Sequence, residues 1–252
     1  MALCHLNYFS HVLQKQSAAF IIVPETGTPP YPVLYLLHGL SDDYTIWLRQ
    51  TSVERYVADL PLMVVLADGG RGFYCDAEEG FAYGTAIGVE LPERIERTFP
   101  AMRTREGRCL AGLSMGGYGA TRLALTYPDR FAAAVSHSGA MGFGHFPVGH
   151  DARPYPAEFR RILGPTPTGG PNDLFALAEN VAPADRPALR IDCGVDDFLI
   201  EPNRQFHAHL ESIGYPHEYE EFPGAHTWDY WDVHIREAIA FLRGQLLDKT
   251  GA

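Results

Sequence analysis

The order of segments along the chain predicts a mostly parallel β-sheet covered by helices on both faces. Two observations carry that expectation: short apolar runs rich in β-branched residues, and intervening stretches whose apolar residues recur every three or four positions. A third supports it: 252 residues that are 46% hydrophobic and 20% charged suffice for one large core, so a single domain spanning 1–252 is expected.

The strand candidates are residues 18–24 (AAFIIVP), 32–39 (PVLYLLHG), 61–69 (PLMVVLADG), 108–113 (RCLAGL), 131–139 (FAAAVSHSG), 188–194 (ALRIDCG) and 217–222 (HEYEEF). Helical spacing marks 52–60, 86–99, 117–127, 203–213 and 232–247. Strict alternation of this kind places functional groups in the loops at the carboxyl ends of strands. Residues 140–182 break the rhythm. They are rich in Gly and Pro where a crossover would be shorter, and read as a cap-like insertion over the strand ends.

Charge and composition exclude several classes of function. A net charge of -11 with scattered Lys and Arg disfavours nucleic acid, which is held mainly through clustered cations. No apolar run reaches the roughly 18 to 20 residues that span a bilayer, and MALCHLNYFSHVLQKQ lacks the basic start and apolar centre of a signal peptide. A cytoplasmic protein with reduced thiols is expected, because Cys4, Cys75, Cys109 and Cys193 are far apart and form no Cys-x-x-Cys pair. The sequence leaves a homo-oligomer open.

Gly112-Leu113-Ser114-Met115-Gly116 lies where a strand gives way to a helix, the setting of a nucleophile elbow. Glycine on either side of Ser114 leaves room for a sharp reversal that exposes the hydroxyl. A serine hydroxyl is a weak nucleophile, so the reading requires a histidine base and a carboxylate that orients it, both later in the chain. The strand 188–194 runs into Val195-Asp196-Asp197-Phe198, and the strand 217–222 runs into Pro223-Gly224-Ala225-His226-Thr227-Trp228. His226 therefore fills the position of the base.

Asp197 is preferred over Asp196, since a Gly-x-x-Asp spacing from Gly194 returns the carboxylate toward the sheet top, while Asp196 reads as a solvated turn residue. Asp192, within an apolar strand, is expected to satisfy neighbouring backbone groups. His207 and His209 read as surface residues, and His145 and His150 as members of a solvated loop. Acyl transfer also needs donors for a developing oxyanion, and the backbone N–H groups of Leu40 and Met115 occupy the expected places. His38 either shapes that loop through hydrogen bonds or takes part in proton transfer. Trp47, Phe73, Tyr74, Phe143 and Trp228 either wall the cleft or pack in the core, with Trp47 and Trp228 taken as the substrate-binding candidates.

The segments NYFSHVL, LLHGLSDDYTIW, GGRGFYCDA, VELPERIERTFP, AGLSMGGYGATRLAL, CGVDDFLIEPNRQFHAHL and PGAHTWDYW together resemble an esterase family of α/β-hydrolases, which contains tributyrin esterases and S-formylglutathione hydrolases. The resemblance covers nearly the whole chain. It implies an α/β-hydrolase fold, a Ser114, His226 and Asp197 triad, oxyanion donors at Leu40 and Met115, a small-molecule ester substrate with short acyl groups, and neither metal nor organic cofactor. GLSMGGYGA looks more like the tributyrin esterases and RGFYCDA more like the S-formylglutathione hydrolases. A thioesterase, an acyltransferase and a non-catalytic binding module are the competing readings.

Overall fold

A computed structural model describes residues 1–146 and 156–250. Eight strands form one sheet: β1 (Ala2–Ser10), β2 (Lys15–Val23), β3 (Val33–Leu37), β4 (Met63–Ala67), β5 (Arg108–Leu113), β6 (Ala133–His137), β7 (Ala188–Gly194) and β8 (His217–Phe222). Their order across the sheet is β1-β2-β4-β3-β5-β6-β7-β8. The run from β4 to β8 is parallel, whereas β1 pairs antiparallel with β2 and β2 antiparallel with β4. All seven predicted strands form. β1 is an addition at the sheet edge, where alternate residues stay partly in contact with solvent and so break up the apolar run that marks an inner strand.

The helices are α1 (Ile46–Gln50), α2 (Val53–Tyr56), α3 (Tyr83–Thr85), α4 (Leu91–Thr98), α5 (Met115–Thr126), α6 (Pro156–Leu163), α7 (Leu174–Asn180), α8 (Ile200–Ser212) and α9 (Trp228–Thr250). A π-turn over Ala86–Glu90 joins α3 to α4. The helix expected over 52–60 shrinks to one turn, after which the chain continues in tighter turns, with Ala58 N–H donating to Arg55 O and Leu60 N–H to Val57 O. The insertion contains α6 and α7.

Period-two alternation sorts the strand side chains onto two faces. Val33, Tyr35 and Leu37 of β3 join a core shared with Leu91, Ile95, Tyr118, Leu123 and Phe206. Leu34 and Leu36 face the opposite way, into a core with Trp47, Val53, Trp231, Ile235 and Leu242. Helices therefore cover both faces, as the α/β-hydrolase fold requires. The chain leaves β3, crosses to β4 on one side, and returns to β5 on the other. This reversal opens a crevice between the loops that follow β3 and β5, which is where an open parallel sheet binds its ligands.

Burial predicts the energetic weight of the two sheet regions. Leu36 is 1% exposed and Leu3 on β1 is 45% exposed. Leu36→Ala is expected to cost about 2–5 kcal/mol through lost burial and a residual cavity, and Leu3→Ala about 0.5 kcal/mol or less. Urea unfolding of the two variants checks the contrast.

Candidate active site

β5 ends at Leu113 and α5 begins at Met115, so Ser114 alone makes the reversal, with φ 54° and ψ -116°. Such angles cost a non-glycine residue about 1–3 kcal/mol and persist only where the surroundings over-determine them. Here the Ser114 N–H donates to His137 O at 2.9 Å, and Ser114 O accepts from Tyr118 N and Ala140 N, each at 3.1 Å. The flanking glycines act through space. A Cβ at Gly116 would stand 2.4 Å from Leu37 O, and one at Gly112 would stand 2.4 Å from Gly116 O. Backbone atoms on both sides leave nothing able to yield, so the strand end and the helix start approach closely only because both positions lack side chains.

His226 arrives by a second close approach. A Cβ at Gly194 would lie 2.3 Å from Gly224 O, and Asp196 N donates to Gly224 O at 2.9 Å, which locks the loop after β7 to the loop after β8. Asp197 N donates to Gly194 O at 3.1 Å in the tight turn read from the Gly-x-x-Asp spacing. The His226 Nδ1–H then donates to Asp197 Oδ2 at 2.8 Å, and Asp197 Oδ1 accepts from Leu199 N at 2.8 Å. Asp197 is 2% exposed, whereas Asp196 is exposed, as the sequence reading expected.

Burial pushes the Asp197 carboxyl up, but the His226 hydrogen bond and charge, the Leu199 N–H and the Ser138 hydroxyl outweigh it and hold the group below the usual carboxylate range. With its proton on Nδ1, the His226 ring has Nε2 left as an acceptor. The ring is held between Phe198 and Trp231, with centroids 4.5 and 4.8 Å away.

Ser114 and His226 line one cleft of about 670 Å³, together with Leu40, Met115 and Trp228. The loop that carries Leu40 is fixed from below by His38. The His38 Nδ1–H donates to Gly39 O at 2.7 Å, Gly69 N–H donates to His38 Nε2 at 3.0 Å, and the Tyr74 hydroxyl donates to His38 O at 3.1 Å. Both ring nitrogens are thus engaged within the fold, and His38 shapes the loop. From outside, Arg71 donates to Leu40 O at 3.3 Å and forms a bidentate pair with Glu158 of α6, at 2.7 and 2.8 Å.

Several expectations need correction. Trp47 does not line the cleft: it is 1% exposed, its indole N–H donates to Leu37 O at 3.0 Å, and its ring meets the edge of Trp228 from the core side. Asp192 serves side chains instead of the backbone, because the strand ladder already uses its neighbours' backbone groups. It accepts from His137 Nδ1 at 2.8 Å and from the Tyr230 hydroxyl at 3.0 Å. His207 and His209 are half-buried; His207 Nδ1 and His217 Nε2 share a hydrogen bond at 2.8 Å, and His209 Nε2 donates to Phe175 O at 3.1 Å. His145 pairs with Asp173 at 3.0 Å and stacks on Phe175, which pins the start of the insertion. His150 lies outside the described residues.

Sequence reasoning missed Ser138, which follows β6 with φ 49° and hydrogen-bonds both Asp197 and the Trp231 indole. It also missed the backbone at Phe73 and Tyr74, with φ 51° and 54°. Those residues are held by Arg122, which donates to Tyr74 O at 3.1 Å and to Asn172 Oδ1 at 2.8 Å. None of these positions is glycine, the residue that signals left-handed backbone in a sequence.

The depressed Asp197 carboxyl has a pH signature. Its contribution to stability is present above its unfolded value, near pH 4, and is lost as pH falls through the lower folded value. The stability gap between the wild type and Asp197→Asn is therefore expected to be open at pH 7 and pH 5 and to close progressively below about pH 4, as followed by urea titration.

Comparison with known proteins places nearly the whole chain among esterases. The family described as Putative esterase matches residues 10–242. An acetyl esterase of Caldicellulosiruptor saccharolyticus is 31% identical, over 96% of this chain and 98% of its own. Two solved structures from Staphylococcus aureus are each 32% identical over 96% of this chain and 98% of theirs. They are the fluorophosphonate-binding serine hydrolase FphF, with a TM-score of 0.85, and an S-formylglutathione hydrolase, with a TM-score of 0.82. With its sheet order and the Ser114 reversal, the chain belongs to the esterase family of α/β-hydrolases.

Proposed function

We propose that the protein is a serine carboxylesterase that hydrolyses short-chain acyl esters through an acyl-enzyme, with Ser114 as nucleophile, His226 as base and then acid, and Asp197 as the orienting carboxylate. The observation that carries this reading is the His226 to Asp197 hydrogen bond of 2.8 Å beside a serine held in left-handed backbone, with Ser114 and His226 lining one cleft. Ser114 Oγ attacks the ester carbonyl as His226 Nε2 takes its proton, and the oxyanion rests on the N–H groups of Leu40 and Met115. The alcohol leaves with the proton returned by His226, and water repeats the sequence on the acyl group. Asp197 stays ionised and stabilises the imidazolium.

The preference for short acyl groups is supported by the apolar end of the cleft. Phe73 and Phe159 line it, and Phe73 is stacked on Phe143 at 3.7 Å, so packed rings limit its depth. The thioester S-formylglutathione is the second reading, supported by the GFYCDA segment and the 32% identity to an S-formylglutathione hydrolase. A reducing cytoplasm suits the four cysteines, none of them in a disulfide. Among the described residues no helix is long and apolar enough to cross a membrane.

Ser114→Ala is expected to lower turnover of p-nitrophenyl acetate by a factor on the order of 10⁶, the scale set by a serine protease triad, and to abolish labelling by a fluorophosphonate probe. Substantial residual turnover would sink the assignment. Comparing kcat/KM for p-nitrophenyl acetate, butyrate and octanoate with that for S-formylglutathione decides between the two substrate readings, with acetate and butyrate expected to lead.

A further inference from the structure

The cleft is lined by both apolar and polar groups. Phe73, Ala140 and Phe159 give it apolar lining, backed by the ring stack against Phe143. Ser41, Asp42 and Thr227 supply polar lining, and they come from two loops: the one that follows β3 and the one that carries His226. The edge contact between Trp47 and Trp228, with centroids 5.4 Å apart, brings those two loops together. In the proposed reaction His226 protonates the departing alcohol, so the His226 side of the cleft receives the leaving group. Asp42 lines the same cleft as His226, on the loop that the Trp47–Trp228 contact ties to the His226 loop.

Asp42 differs from its neighbour Asp43. The Asp43 carboxylate accepts from the Thr45 N–H and hydroxyl at 2.8 and 2.6 Å and so caps a local turn. Asp42 is half-buried; its carboxylate accepts the Gly39 N–H, and among the described residues no side chain forms an ion pair or hydrogen bond with it. A Cβ placed at Gly39 would stand 3.0 Å from Asp42 Oδ2 and 3.9 Å from Ser114 Cβ, so the carboxylate and the nucleophile border the same space. Burial holds the carboxyl above its usual range, against the opposing pull of His38 and Gly39. One N–H leaves further acceptor positions of the carboxylate open, and a carboxylate partly withdrawn from water is unfavourable unless donors replace the water it has lost.

Resting on the esterase reading, we propose that Asp42 is a specificity-determining residue that accepts a hydrogen bond from a donor on the leaving group. Two sources share that chemistry: a hydroxyl of a polyol or sugar, and a protonated amine. Selectivity of this kind is strong where a site is built to meet a donor, because an analogue without one leaves the acceptor desolvated and unpaired.

The test compares kcat/KM for glycerol 1-acetate, 2-(dimethylamino)ethyl acetate and n-propyl acetate in the wild type, Asp42→Ala and Asp42→Asn. The change in each ratio between proteins cancels the intrinsic reactivity of the esters. The ratio of a donor-bearing ester to propyl acetate is expected to fall about tenfold or more in Asp42→Ala, the scale of a hydrogen bond to a charged group. Asn keeps an oxygen acceptor and loses the charge, so recovery of the glycerol ratio in Asp42→Asn identifies a hydroxyl. A ratio that falls only for the amino ester, and is not recovered by Asn, identifies the cation.

Unchanged ratios in Asp42→Ala, or an equal loss on all three esters, overturn the proposal. So does a change that follows the acyl group, read by comparing ethyl lactate with ethyl propanoate. Turnover of p-nitrophenyl acetate by the wild type separates the two levels: without it the esterase reading fails, and with it but without a change in ratio only the role of Asp42 fails.

Discussion

The left-handed backbone at Ser114 is the constraint on which the rest of the site depends. One residue must turn the chain from β5 into α5, and it can do so only if the helix start lies against the end of β3. That contact is between Gly116 and the carbonyl of Leu37, with no side chain between them. At the same reversal the Ser114 N–H donates to the carbonyl of His137 at the end of β6, and the Ser114 carbonyl accepts from the N–H of Ala140, where the insertion begins. Three strand ends and the root of the insertion are therefore tied to one strained residue. Strain of this kind is a property of the whole neighbourhood, and loosening any one tie relaxes the position of the hydroxyl.

Two histidine–aspartate pairs sit side by side at the strand ends, and their difference is instructive. His137 and Asp192 are both fully buried, with Tyr230 completing the carboxylate's partners. His226 and Asp197 have the same pairing through Nδ1, yet the imidazole borders the cleft. Pairing polarises a histidine, but only access to a substrate lets it move a proton to and from one. Ser138 stands between the two systems. Its N–H donates to Asp192 O at 2.7 Å and its hydroxyl reaches Asp197 and the Trp231 indole, so the sealed pair serves as a rigid base for the open one.

The sheet and the three proposed catalytic residues were legible in the sequence because the strands that precede them carry recognisable patterns. Buried parallel strands need continuous apolar runs, and Ser114 and Asp197 lie just after such runs, while His226 lies just after the alternating edge strand His217–Phe222. β1 escaped because an edge strand keeps a partly solvated face, so its apolar residues are interrupted by His5 and Asn7. Trp47 and Trp228 looked alike as aromatic candidates, and only packing distinguishes a ring that fills the core from one that borders the cleft. The left-handed residues Phe73, Tyr74 and Ser138 carried no glycine to announce them; their conformations are imposed by distant partners such as Arg122, whose neighbours in space lie some fifty positions away in sequence.

The clasp between Arg71 and Glu158 has a further consequence. It grips the carbonyl of Leu40, one peptide plane beyond the N–H proposed to receive the oxyanion, and its other end stands on a helix of the insertion. The helix that brings Phe159 to the cleft and the peptide proposed to receive the oxyanion are thus one mechanical piece. A lineage that reshapes this helix to admit a new ester also retunes the peptide tied to it, so the breadth of substrates open to such a scaffold is bounded by how far that peptide can shift without losing the oxyanion.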